Sequence, residues 1–201
     1  GLDRYVYSSY YPCVEGDQEL NRLNVLSALS SGVNRDSGSK YSHIFYCMDH
    51  GHAYGLGASS KDKNEIMSRE EIGRLQNGNA LQIFMTGSCN TADFQHDCFA
   101  NWYLNNPAGG GVAYIGNSDV GWVCETWQFR YFVDALYQST GVHHIGYLFR
   151  QIQIHSSSSI YTGGNRKMVL LGDPEMPVWS KTPRNLTVHV TGSSASDGQI
   201  E

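Results

Sequence analysis

The sequence has no block of basic residues: 14 Lys+Arg stand against 19 Asp+Glu, for a formal net charge of −5. Phosphate backbones are held by clustered cations, so nucleic acid is not an expected partner. No apolar run approaches the roughly 18 residues of a membrane-spanning helix. The opening, GLDRYVYSSYYP, lacks both the charged n-region and the long apolar h-region of a signal peptide, so a processed or trimmed segment is expected. There is no CxxC, and the five cysteines (Cys13, Cys47, Cys89, Cys98 and Cys124) are an odd number. That excludes a disulfide framework using every cysteine, gives no sign of a zinc ribbon, and leaves at least one thiol free. Internal repeats are absent. Charged residues are scarce at 16%, while Ser, Asn, Gly and Tyr abound, a balance that suits a secreted protein.

What is present is enough chain, 201 residues, for one sizeable core. Four apolar segments have strand length and end in small or polar residues: 41–48, 80–85, 111–115 and 168–171. DRYVYS, at the start, reads as a fifth. Their near-continuous hydrophobicity predicts strands covered on both faces, as in a parallel sheet. Helices are predicted between them. Residues 16–32 place Leu20, Leu23, Val25, Leu26 and Leu29 at helical spacing and close on Gly32. Residues 68–78 open with Ser68 and Glu71 in a capping-box pattern, and 95–105 and 125–138 supply two more helices. Alternating strands and helices predict a doubly wound α/β sheet with its site beyond the carboxyl ends of the strands. Past LLGDPEMPVW the pattern changes to the alternating Leu186, Val188 and Val190 of a single solvent-facing strand, then a polar tail. The boundary falls near residue 180.

Two successive strands would deliver their ends to one edge of that sheet. The first ends in Asp49-His50-Gly51-His52, the next in Gly87-Ser88-Cys89. A thiol and an imidazole at neighbouring strand ends form a candidate nucleophile and acid/base pair, since attack requires thiolate and expulsion of an amine requires a proton donor. Gly51 lets backbone approach a substrate closely and offers an N–H to an oxyanion.

A strand ending in His-Gly, followed by a strand ending in a small residue and Cys, resembles the cysteine peptidase clan of caspases, legumains, clostripain and gingipains. GSCNTADF, then DCFANWYLNNPAGGGVAYIGNS, and LLGDPEMPVW before the β tail narrow the resemblance to the gingipain family, over residues 43–179. The resemblance implies a caspase-like three-layer α/β sandwich with a mostly parallel sheet over 1–180. It also implies the start of an immunoglobulin-like β-domain over 181–201, and a first strand and helix lying upstream. Cys89 resembles the family's nucleophile and His50 its general acid, and the N–H groups of Gly51 and Cys89 resemble its oxyanion hole. The loop after GGVAYIG matches a substrate-binding stretch, which nominates Asn117, Ser118, Asp119 and Trp122, with Ser88 beside the nucleophile. The implied activity is a secreted or surface-bound bacterial cysteine endopeptidase acting on polypeptides through a thioacyl-enzyme, with the rest of its own precursor chain as a further partner. That chemistry needs no cofactor, and a structural calcium ion is compatible with it. The acid that selects arginine in some members comes from upstream of the histidine, and Asp3 does not align with it firmly.

Other readings stand beside this one. His50 and His52, with Asp49 adjacent and His96, Asp97, His143, His144 or His155 to complete a site, could ligate zinc in a metal hydrolase, although no third ligand has diagnostic spacing. A catalytically silent adhesion or scaffold module would keep the same fold. Cys47, Cys98 and Cys124 read as small buried residues, AGGGVAYIG as a turn before a strand, and KDKNE as a solvated loop.

Overall fold

The computed structural model describes residues 7–8, 18–19, 21–35, 38–40, 42–57, 66–121, 126–138, 141, 143–156 and 167–180. Trp122, Asp3, Cys13, Cys124, KDKNE and the β tail over 181–201 lie outside them, as does DRYVYS except for Tyr7–Ser8. That pair forms a short parallel ladder with Gln18–Glu19.

Among the described residues the central sheet has four strands: β1 (Ile44–Cys47), β2 (Gln82–Thr86), β3 (Gly111–Asn117) and β4 (Met168–Leu171). Their spatial order is β4-β3-β2-β1. β1, β2 and β3 run parallel, and β4 closes the edge antiparallel to β3. Strand residues alternate strictly between two cores. Phe84, Tyr114, Phe45, Cys47, Val169 and Leu171 face one side, while Ile83, Met85, Ala113, Ile115, Ile44 and Tyr46 face the other. This is why the strands read as continuous apolar runs: both faces are covered.

Among the described residues five helices supply the cover. On the first face lie α1 (Arg22–Ser31), the single turn α2 (Arg69–Ile72) and α3 (Phe99–Leu104). On the second lie α4 (Thr126–Gln138) and α5 (Ile145–Ser156). The result is a mixed α/β three-layer sandwich.

Helix limits differ from the sequence pattern for local reasons. α1 starts later than predicted, because Asn21 takes the N-cap position and accepts from the Asn24 N–H at 3.0 Å. The capping box of Ser68 and Glu71 forms as expected, yet α2 stops at Gly73. From there Asn77, buried, fixes the descent into β2. Its amide donates to the carbonyls of Ala80 and Gly110 and accepts from the Gly110 N–H.

α5 has no cap signal of its own. Its first donors are answered from afar: the Ile145 N–H donates to the Met176 carbonyl and the Gly146 N–H to the Pro174 carbonyl, both at 2.9 Å. Gly146 is required there, since a Cβ would fall 2.8 Å from Pro174 Cβ and 2.9 Å from its carbonyl oxygen.

Phe84 is the centre of the first core. It stacks on Tyr114 at 5.3 Å and meets Phe45, Phe99 and Tyr103 at 4.9, 5.8 and 5.4 Å. Removal of its ring would leave a cavity walled by four aromatic groups. Phe84→Ala is expected to cost about 3–5 kcal/mol in urea unfolding, and Phe84→Leu distinctly less; equal losses would contradict a tightly packed aromatic core.

Candidate active site

The paired register of β1 and β2 ends at Cys47 and Thr86. His50 and Cys89 each stand three positions beyond, so neighbouring parallel strands bring both to the same edge. The two exits are then tied together. Ser88, 1% exposed, accepts the Asp49 N–H at 3.2 Å and the Thr86 hydroxyl at 2.8 Å, while its own N–H donates to Thr86 Oγ1.

Gly51 presses into this junction: a Cβ there would lie 2.8 Å from Ser88 Cβ, 2.9 Å from the Cys89 carbonyl and 3.1 Å from Thr91 Cγ2. It opens a hairpin, Gly51–His52 with Gly55–Leu56. That hairpin is held at its tip by the Phe99 N–H on the Ala53 carbonyl and the Arg69 N–H on the Tyr54 carbonyl. The His50 ring is exposed, whereas the His50 carbonyl accepts from Gly57.

After Cys89 the chain turns sharply through Asn90, whose φ of 57° is left-handed, a conformation asparagine tolerates better than most residues. The third strand supplies a wall alongside. Asn117, 0% exposed, donates from its amide to the Gly87 carbonyl at 2.8 Å. The Asn90 and Ala92 N–H groups donate to the carbonyls of Asp119 and Asn117. Gly121 closes the wall at the thiol: its N–H donates to Cys89 Sγ at 3.3 Å, and the thiol reaches the Gly121 carbonyl at 3.6 Å. Among the described residues the Cys89 N–H itself donates to nothing.

The three described cysteines are all free, and they differ in accessibility. Cys47 and Cys98 are buried, and burial, with Asp49 nearby, pushes the Cys47 thiol up to about 12. Cys89 is partly accessible. Ser118 donates from both N–H and hydroxyl to the Lys167 carbonyl. The exposed Asp119 pairs with Lys167, which holds its carboxyl below the usual range, helped by the Val120 N–H.

Ser88 and Asn117, nominated as substrate contacts, are buried, and their side chains bond to the strand exits. Trp122 lies outside the described residues. The histidines do not converge: His52 Nδ1 accepts from the Tyr54 N–H at 3.2 Å, His143 and His144 pair with Val178 and Pro177, and His155 stacks on Tyr131. Among the described residues no group of three or more His, Cys, Asp or Glu is placed to hold a metal. Gly121 and Lys167 escaped sequence reasoning. Neither lies in a motif, and both reach the edge only because β3 and β4 bring them there.

This topology, with its sheet order and strand-end chemistry, defines the caspase-like fold of cysteine peptidases. The chain belongs to peptidase family C25, the gingipain family, whose profile residues 5–179 match. Among solved structures it is similar to gingipain R (RgpB), an Arg-specific cysteine proteinase, at 17% identity and a TM-score of 0.62 over 79% of this chain and 36% of that one. It is similar also to the complex of the pro- and mature domains of Porphyromonas gingivalis RgpB, at 15% identity and a TM-score of 0.60 over 78% and 36%. A further protease structure matches at 14% identity and a TM-score of 0.54, over 80% and 41%. The chain thus spans well under half the length of these relatives. No curated protein matches it.

The junction yields a stability test. Gly51→Ala is expected to cost about 1–3 kcal/mol through overpacking against backbone. Ser88→Ala should cost about 1–3 kcal/mol by leaving the Asp49 N–H without its partner. Urea unfolding of each variant measures this, and wild-type stability for Gly51→Ala would contradict the close approach.

Proposed function

We propose that this chain is the catalytic portion of a secreted or cell-surface cysteine endopeptidase that hydrolyses polypeptides through a Cys89–His50 dyad. The observation that carries the reading is the shared register: a partly accessible thiol and an exposed imidazole leave adjacent parallel strands at equal distances beyond their last paired residues. Membership of family C25 supports the reaction class.

In this reading the Cys89 thiolate attacks the scissile carbonyl carbon, and the charge developing on oxygen is taken by the N–H groups of Gly51 and Cys89. Protonated His50 gives its proton to the leaving amine as the C–N bond breaks, leaving a thioacyl-enzyme. Neutral His50 then takes a proton from water, the resulting hydroxide adds to the thioester carbon, and the acid departs with regeneration of thiolate. The buried Ser88, Thr86 and Asn117 fix the strand exits from beneath. Misplacement by about 1 Å can cost roughly 100-fold in rate, so buried supports matter to chemistry.

The similarity to a proteinase seen with its own pro-domain supports the rest of the precursor chain as a partner. No helix of the described residues is long and apolar enough to cross a membrane. Specificity for arginine is a property of the relative, and at 17% identity it does not transfer.

Treating the full chain with a panel of peptidyl acyloxymethyl ketones, then measuring intact mass and mapping the adduct, tests the reading. One adduct on Cys89 is expected, with Cys47 and Cys98 unmodified until the protein is unfolded. Hydrolysis of any peptide that proves to be a substrate should fall about 100-fold or more in His50→Ala, the usual scale for lost acid–base catalysis. Failure of every probe to label Cys89 would overturn the proposal.

A further inference from the structure

The antiparallel direction of β4 has a chemical result at the site. β1, β2 and β3 bring their carboxyl ends to the catalytic edge, whereas β4 brings its beginning there, with Met168 paired to Asn117. Lys167, just before β4, therefore stands beside the loop that leaves β3. The ladder continues one step past the strands through the two Ser118 hydrogen bonds to the Lys167 carbonyl, at 2.8 and 2.9 Å.

Asp119 comes next. Its carbonyl is bound to the residue after the nucleophile, accepting the Asn90 N–H at 3.0 Å. Two positions on, Gly121 contacts the nucleophilic sulfur. An acid so placed would draw a cationic substrate side chain toward the thiol, but its charge is already answered. Oδ1 accepts from the Val120 N–H at 2.7 Å and Oδ2 lies 3.0 Å from Lys167 Nζ. Lys167 is 33% exposed and Asp119 56%, so the pair lies at the surface of the wall.

We propose that Asp119 and Lys167 form a charge-neutral element of the substrate wall, which makes the subsite next to Cys89 select uncharged side chains and disfavour arginine and lysine. This rests on the peptidase reading above and deepens it. A guanidinium approaching Asp119 must displace an ammonium held by its own strand, and it meets like charge from Lys167 as it does so. Specificity arises from the repulsive partner as much as from the attractive one. Without the ammonium, Asp119 is left on the wall as an acid with no cationic partner, and preference should turn toward cations.

Two acyloxymethyl ketones differing only at the residue before the warhead, arginine in one and its uncharged isostere citrulline in the other, read this directly. The measured quantity is the ratio of the second-order rates of Cys89 labelling, arginine over citrulline. Wild type should give a ratio of one or below. Lys167→Met should raise it tenfold or more, Lys167→Arg should keep it near wild type, and Asp119→Asn combined with Lys167→Met should abolish the gain. A high wild-type ratio, or a Lys167→Met ratio that does not move while Cys89 still labels, overturns the proposal and leaves the peptidase reading intact. Labelling by neither probe nor any other of the panel overturns both. Circular dichroism of each variant separates a changed wall from a lost fold.

Discussion

One buried hydroxyl sets the geometry on which the rest depends. Ser88 accepts from the end of the first strand and from the last residue of the second, joining positions 39 apart in the chain. The net contribution of such a bond is only about 1 kcal/mol. Its importance lies in where it acts. Beyond Cys47 and Thr86 the sheet no longer fixes how the two exits stand relative to each other, and Ser88 does so in its place. Gly51 then fits against it with no room for a side chain.

The layers explain why this junction can be small. Strand residues alternate between an aromatic core centred on Phe84 and a second core facing α4 and α5. Both faces resist deformation, so strand ends project from a stiff base and a few hydrogen bonds suffice to aim them. The wall from Asn117 to Gly121 uses the same base from the other side. Its groups reach across to Gly87, Cys89 and Asn90, and the turn at Cys89 is thereby bounded by two strands.

Much of this was legible in the residues. The strand cores, the capping box at Ser68 and the arrival of His50 and Cys89 at one edge of the sheet follow from apolar runs and their endings, which are local signals. What escaped was set by distant partners. α5 is capped by carbonyls at Pro174 and Met176, so no residue before Ile145 announces it. The direction of β4 is not encoded in its apolar run, and without the direction Lys167 cannot be placed. Ser88 and Asn117 were legible as near the site but not as buried, because their burial depends on the neighbouring strand exits. The C25 family explains the order of the motifs; the supports beneath them emerge only from the packing.

The dependence of α5 on Pro174 and Met176 also has a temporal side. A ribosome delivers Ile145–Ser156 before it delivers the carbonyls that seat the first turn, and Lys167 arrives in the same late stretch. The nascent chain therefore carries its thiol and imidazole early, but neither the last layer nor the finished wall. Order of synthesis thus puts completion of the edge near the end of translation of this region, so Cys89 is not set in its final surroundings until the sandwich is closed.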